Sequence, residues 1–432
     1  MRFKKVPIGE VAKVRSGYAF KSKDWQSSGI PVIKIGNVKS GWLNLEGCSF
    51  VSEEVAVRAK EFELHSGDIL ISMTGHIGEV AKVRNEGKLL LNQRVGRFSF
   101  HDEKIIDRDF FFYCLQAHDV KQNMVAHAYG AAQPNISPKL IEQQQIPFPP
   151  LPIQKRIAGI LSAYDDLIEN NQRRIKILEE MARSLYREWF VHFRYPGHEN
   201  VPLVDSPLGP IPQGWEVVPF EKLLLSMKGG DWGRDQVTDA ETVKVKVVRG
   251  TDFKEVGYGG QLRVPERYIK PSSFKNRGLK VGDIIIENSV NAKSRCIGTT
   301  LLVDDHILDR LGRNAIAASF CKVFRLGDPQ LAALVHLHIR HLRENSRMEY
   351  YQNVAANGIG NFQAKKFAKE EHLALPTDKL LLSKMNEHIN SIFKAISVYG
   401  AKIAILLQTR DLLLPKLLSG EVDVSQWGRD DA

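Results

Sequence analysis

Cysteine is scarce in this chain. Its 432 residues hold only Cys48, Cys114, Cys296 and Cys321, with no CxxC pair and no histidine at metal-ligand spacing from any of them. That excludes a disulfide framework and the usual zinc motifs, and it leaves reduced, buried or half-buried thiols. Phosphate-loop glycines are missing too: no GxxxxGK[ST] occurs, so an ATPase has no support. Neither is there an (N/D)PP(Y/F) run of the kind with which amino-methyltransferases hold a flipped base. Asp68 with Glu86-Gly87-Lys88 superficially matches a D…ExK nuclease pattern, but that pattern is short, common by chance, and its Glu-Gly pair reads as a hairpin turn. The basic N-terminus has no apolar stretch behind it, and no apolar run approaches the ~20 residues that span a bilayer, so the expectation is a soluble cytoplasmic protein.

What the chain has in excess is positive charge and repetition. Sixty Lys and Arg against fifty Asp and Glu give a formal charge of +10, which favours a polyanionic partner through counterion release. At this length, two domains plus connecting helices are expected rather than one core. Glycine-bounded β-branched runs recur: residues 66–74, SGDILISMT, are answered by 281–289, VGDIIIENS, and 76–83, HIGEVAKV, by 296–303, CIGTTLLV. Each set leads to a helix (107–125 and 328–351), a polar loop (127–138 and 356–367) and a proline-containing joint, IPFPPLP at 146–152 and LALP at 373–376. Prolines disfavour helix in the residue before them and are tolerated in a first turn, so each joint should close a globular unit and open a long helix.

The two long helices share one register. Apolar slots at Ile157, Leu161, Ile168, Ile175, Leu178 and Leu185 return 228 residues later, among others as Ile389, Ile396, Ile403, Leu406 and Leu413. Their 4-3 spacing predicts two helices that bury their stripes against each other as a coiled coil, each about 50 Å long at 1.5 Å per residue. Asn171 and Arg410 interrupt the stripe. They make more sense in an antiparallel pair, although parallel pairing stays open on sequence alone. Pro415 should kink the second helix, which would leave Leu417 beyond it. Ile160, Leu167 and Met181 widen the apolar face of the first helix beyond a two-stranded seam. They either receive a second protein or cover a neighbouring part of this chain.

The boundaries follow: a first globular domain at 1–150, a long helix at 151–194, a Pro- and Gly-rich extended linker at 195–214, a second domain at 215–376, a second helix at 377–421 and a tail at 422–432. The fold class is α+β, with two mixed α/β domains in tandem, each followed by a long helix, and the helices packed as an antiparallel coiled coil.

PFPPLPIQKRIAGIL (147–161), LYREWFVHFRYPG (185–197), GPIPQGWEVVPF (209–220) and LLLPKLLSGEVDV (412–424), together with the duplicated GDI strands, resemble the specificity subunit of type I restriction-modification systems. The resemblance covers essentially the whole chain. It implies a non-catalytic DNA-reading adaptor. Each target-recognition domain reads one half of a bipartite site in double-stranded DNA, and the helices set the spacer and dock two modification subunits. It also implies that no cofactor is bound by this chain: S-adenosylmethionine enters through the modification subunits, and ATP and Mg2+ through restriction subunits where those are present.

Major-groove reading needs Arg or Lys for guanine and Asn or Gln for adenine. The polar stretches between strands therefore nominate Thr74, His76, Gln93, Arg94, Tyr129 and Gln133 in the first domain. In the second they nominate Asn291, Lys293, Arg295, Arg313 and Asn361. The Gln133-Pro134-Asn135 run of the first domain has no counterpart in the Gly360-Asn361-Phe362 run of the second, so contacts should not transfer between them. Two other classes stay open: a nuclease or methyltransferase complete in one chain, and a coiled-coil interaction protein that binds no DNA.

Overall fold

The computed structural model describes residues 3–84, 87–128, 134–290, 297–354 and 359–425. It divides into two compact units, residues 1–166 with 408–432, and residues 167–407. The cut passes through both long helices, so each unit holds a globular domain and a stretch of the helix pair.

In the first unit, a sheet in the order Ala12–Ser16, Val95–Phe100, Ile69–Ser72, Val80–Lys82 pairs antiparallel throughout. A second sheet runs Ser49–Val51, Ile30–Ile33, Leu89–Leu91, Glu63–Leu64. Its centre is parallel, with Leu90 opposite Val32, where the sequence pattern suggests antiparallel neighbours. Parallel pairing buries both faces, and Leu89-Leu90-Leu91 is apolar at every position for that reason. The predicted helix over 107–125 breaks at Ala117 into Arg108–Gln116 and His118–Ala126. Asp107 caps the first piece, and its Phe110, Phe111 and Phe112 are buried core. Strand Lys5–Pro7 pairs with Gln145–Pro147, so the chain closes the domain immediately before the proline joint.

The second unit repeats this order: Leu224–Gly229, Cys321–Leu326, Ile284–Glu287, Thr300–Leu302 in one sheet and Glu266–Ile269, Val243–Val248, Ala315–Ala317 in another. Trp215–Pro219 pairs with His372–Pro376 as the closing pair. The region 356–367, expected as loop, contains strand Gly360–Phe362 and the start of helix Ala364–Glu370. The stretch 195–214 carries a small hairpin, Leu203–Val204 with Ile211–Pro212, and is thus more ordered than a linker.

The long helices span Leu151–Tyr186 and Lys379–Ser419. Their direction is antiparallel, as each unit shows by itself. In the first, Arg156 reaches the Ser425 carbonyl and Asp165 meets Arg410. In the second, Arg174 donates to the Tyr399 hydroxyl, and Trp189 lies edge-on to His388. Ile157, Leu161 and Leu417 are buried in one core, with Leu413 packed against it. Ile168, Ile175, Ile396 and Ile403 are buried in another, with Leu178 and Leu406 alongside. Ile389 belongs to the core of the second recognition domain, and Leu185 packs against it. The second long helix is by length and composition apolar enough to cross a membrane, contrary to the sequence reading; its seam residues face the first helix.

Pro415 lies inside the second helix, which runs on through Ser419, so the helix does not end at the proline. Its missing N–H removes one i→i−4 bond from the ladder, and the helix continues for about one more turn. Leu167 and Met181 are about half exposed, while Ile160 packs on the first domain.

Candidate nucleic-acid interface

Strand Ile69–Ser72 ends in a tight loop. Ser72 N–H donates to the Glu79 carbonyl and Gly78 N–H returns to Ser72. Gly75 and Gly78 make this possible, both with φ near +75°, a region glycine enters without cost. A distant segment docks on the loop like an added strand. Ile136 N–H donates to the Met73 carbonyl, Gly75 N–H donates to the Pro134 carbonyl, and the Thr74 hydroxyl donates to Asn135 Oδ1 at 2.8 Å.

The second unit builds the same junction from different residues. Phe362 N–H donates to the Asn288 carbonyl, Ser289 pairs with Asn361, and the Ser289 hydroxyl donates to Asn361 Oδ1 at 2.9 Å. A hydroxyl on the strand end holding an asparagine amide on the incoming segment is therefore common to both. The difference between QPN and GNF that argued against transfer is bridged by backbone position.

A third strand end lies beside each junction. Met73 N–H donates to the Arg94 carbonyl, and Asn288 N–H donates to the Phe320 carbonyl. The surrounding registers agree: Val95 faces Ser72 as Cys321 faces Glu287, and Leu91 faces Ile33 as Ala317 faces Val248. Residues 91–95 and 317–321 thus occupy the same place in the two folds.

The electrostatic setting differs. In the first unit the Lys34 ammonium sits 3.5 Å over the Trp25 ring and donates to Ser49, and burial lowers its pKa against the raising influence of Cys48. In the second, burial raises the Glu287 carboxyl despite the Thr299 hydrogen bond and the Arg343 charge. Arg249, in Lys34's place, is held by Asp252 through two side-chain bonds of 2.8 Å. Beside residues 317–321 opens a cleft of about 770 Å3 whose rim carries Lys228, Arg234, Lys270 and Arg277 against Asp231 and Glu241, with Trp232 in its wall. The chain enters it through Gly230 and Asp231, whose N–H groups bond the Cys321 and Ala317 carbonyls.

The sequence-nominated residues divide accordingly. Thr74 is 7 % exposed with its hydroxyl engaged by Asn135, so it positions the junction and does not present itself to a ligand. His76, Gln93 and Arg94 are exposed around that junction, and Asn361 is exposed at its equivalent. Arg313 lies elsewhere: it is a left-handed residue after helix Asp305–Arg310, ion-paired to Asp309 at 2.6 Å and to Asp305 at 3.4 Å. The strand registers put Ser319 and Phe320, not Arg313, at the place of Gln93 and Arg94. Tyr129, Gln133, Asn291, Lys293 and Arg295 lie outside the described residues. Phe320 went unnominated because attention to polar residues passes over an exposed phenylalanine. The aligned strands Val95–Phe100 and Cys321–Leu326 carry the signal that finds it.

A sequence model of the type I restriction modification DNA specificity domain matches residues 2–180. Along 97 % of its length the chain is 23 % identical to the MjaIX specificity subunit of Methanocaldococcus jannaschii, covering 92 % of that protein. It is 32 % identical over 185 residues to the MjaVIII specificity subunit of the same organism, which is 42 % of this chain and 43 % of that one. Among solved structures, the S subunit of a type I restriction-modification system from M. genitalium aligns over 97 % of this chain and 96 % of its own, with a TM-score of 0.54 at 14 % identity, a likeness of fold. Residues 2–180 therefore carry a type I restriction modification DNA specificity domain, and along 97 % of its length the chain is similar to a type I restriction enzyme specificity subunit.

Proposed function

We propose that the chain is the DNA-recognition subunit of a type I restriction-modification complex, each unit reading one half of a bipartite site. The observation that carries this is the repeated junction: two units of divergent sequence keep the same hydroxyl–amide bridge while the exposed residues around it differ. A fixed frame with variable exposed positions is what two different half-sites read by one fold require. The cationic rim beside residues 317–321 supplies sequence-independent attraction to phosphates.

On this reading the chain itself is not a catalyst. Methylation belongs to two modification subunits that bring S-adenosylmethionine, and cleavage to restriction subunits with ATP and Mg2+ where a system has them, all in the cytoplasm. The paired helices set the spacer, and the half-exposed Leu167 and Met181 offer apolar surface to a modification subunit.

Mapping adenine methylation in cells with and without this gene tests the reading. Loss of one bipartite motif on deletion is the expected result. Replacing residues 1–150 with another family member's domain should alter one half-site, and inserting one helical turn should alter the spacer. A methylation pattern unchanged by all three, with the modification subunit co-expressed, would sink the proposal.

A further inference from the structure

If both units read DNA through one frame, positions that coincide in that frame should do the same task with whatever side chain each holds. The backbone identifies such a pair beyond ambiguity of alignment. Arg94 and Phe320 each precede the strand that begins at Val95 or Cys321, and each gives its carbonyl to the N–H of the residue just before the bridging hydroxyl, Met73 before Thr74 and Asn288 before Ser289. Both side chains are exposed beside the hydroxyl–amide bridge.

Their chemistry is opposite. Phe320 is 66 % exposed, among the most exposed of the large apolar side chains in the described residues. An aromatic ring left largely in water offers apolar area to a ligand, since burying a phenylalanine is among the larger apolar gains available. Its neighbours Ala318 and Ser319 are small and leave the ring unobstructed at the head of the loop. An apolar side chain can meet the face of a base or the methyl of thymine, neither of which a guanidinium reads by hydrogen bonding. The cleft lined by Lys228, Arg234, Lys270 and Arg277 adjoins residues 317 and 321 through the Gly230 and Asp231 N–H bonds, and its cations suit flanking phosphates.

We propose that residue 320 is a specificity-determining position of the second unit, equivalent to Arg94 in the first, and that the Phe320 ring makes an apolar contact with a base where Arg94 brings a cation. The proposal rests on the DNA-recognition reading above and adds to it a residue in each unit and the chemistry of each contact.

The test uses the full chain assembled with its modification subunits and duplexes carrying the motif found by methylation mapping, with either half scrambled. Wild type must first discriminate against both scrambled halves; failure there defeats the DNA-recognition reading itself, before any variant is considered. Phe320→Ala should lose about tenfold of its preference at one half-site only, with the slope of log affinity against log salt unchanged. Arg94→Ala should affect the other half-site and flatten that slope by about one. Phe320→Arg should steepen it by about one, because the new cation stands where Arg94 stands. Both side chains are exposed, so folding is not at risk, and hydrogen exchange of strand Cys321–Leu326 verifies it. Phe320→Ala binding both halves as wild type does, or Phe320→Arg leaving the salt slope unchanged, would overturn the proposal.

Discussion

Arg410 looks from sequence like a flaw in an apolar stripe, and its removal should reveal one of the stronger polar couplings in the first unit. Its guanidinium lies 2.6 Å from Asp165, with side chains 18 % and 14 % exposed, and the Tyr113 hydroxyl donates to the other carboxylate oxygen at 2.7 Å. Burial pulls the Arg410 pKa down, but Asp165 outweighs it and holds it up; burial and the same carboxylate drive the Tyr113 phenol well above its usual range. Breaking a fully buried pair by deleting one partner costs about 3–5 kcal/mol. Discounting for the remaining exposure, Arg410→Met should cost roughly 2–3 kcal/mol. Most of that is the penalty of leaving Asp165 with Tyr113 alone. Asp165→Asn should then cost little further in the Arg410→Met background. The coupling in the double-mutant cycle should be roughly 2 kcal/mol. Urea denaturation read by hydrogen exchange in peptides covering 151–166 and 408–419 isolates this unit from the other. A coupling under about 0.5 kcal/mol would mean that the pair is solvent-screened in solution and that Arg410 is a tolerated interruption, not a register-fixing contact.

Three further outcomes follow from the same geometry. Thr74→Val keeps shape but removes the hydroxyl that bridges to Asn135, and should cost about 1 kcal/mol of local stability with weakened discrimination at one half-site; Ser289→Ala, at a more exposed bridge, should cost less and act at the other, and methylation mapping distinguishes them. Burial alone would raise the Glu371 carboxyl, yet His338, Tyr351 and Arg347 hold it at about 2. A depressed carboxylate contributes stability that is full above its unfolded pKa and lost as pH falls through the folded one, so roughly 3 kcal/mol should disappear from the second unit between about pH 4.5 and 2. Glu371→Gln, followed by thermal unfolding across that range, should abolish this dependence. A Cβ on Gly17 would stand 2.3 Å from the Leu91 carbonyl oxygen, and one on Gly230 2.2 Å from that of Ala317. Alanine at either should destabilise its own unit by about 3 kcal/mol while amide exchange in the other stays unchanged.

The architecture was legible in the sequence wherever one physical requirement repeats. A helix seam needs an apolar residue every three to four positions, so Ile168, Ile175, Ile396 and Ile403 declared themselves, and their burial together is what that spacing demands. A half-buried strand needs alternation or a β-branched run, so the paired GDI strands were evident. Direction was another matter. Apolar stripes look alike in parallel and antiparallel pairs; the contacts that fix direction here are polar and singular, such as Arg174 with Tyr399, and leave no period to detect.

The binding edge was legible only in part, and the reason lies in how the units diverged. Strand Ile69–Ser72 and its repeat are 215 residues apart, Val80–Lys82 and its repeat 220, and Val95 and Cys321 226, so residues are inserted on both sides of the middle strand, the later ones with helix Asp305–Arg310. Counting from Gln93 with the 220-residue offset of the middle strand therefore lands on Arg313, a residue committed to Asp309, when the strand register puts Phe320 at the place of Arg94. Hydrogen-bond register is blind to insertion length: a carbonyl either meets its N–H or does not. Side-chain identity at an exposed reading position is, by contrast, the one thing that must differ if two half-sites differ. A frame conserved in backbone pairing, with a cation at one head and an aromatic ring at the other, is thus what selection for an asymmetric target should leave behind. It also explains why matching polar residues, rather than matching strands, finds Arg94 and misses Phe320, the two positions proposed to read the half-sites.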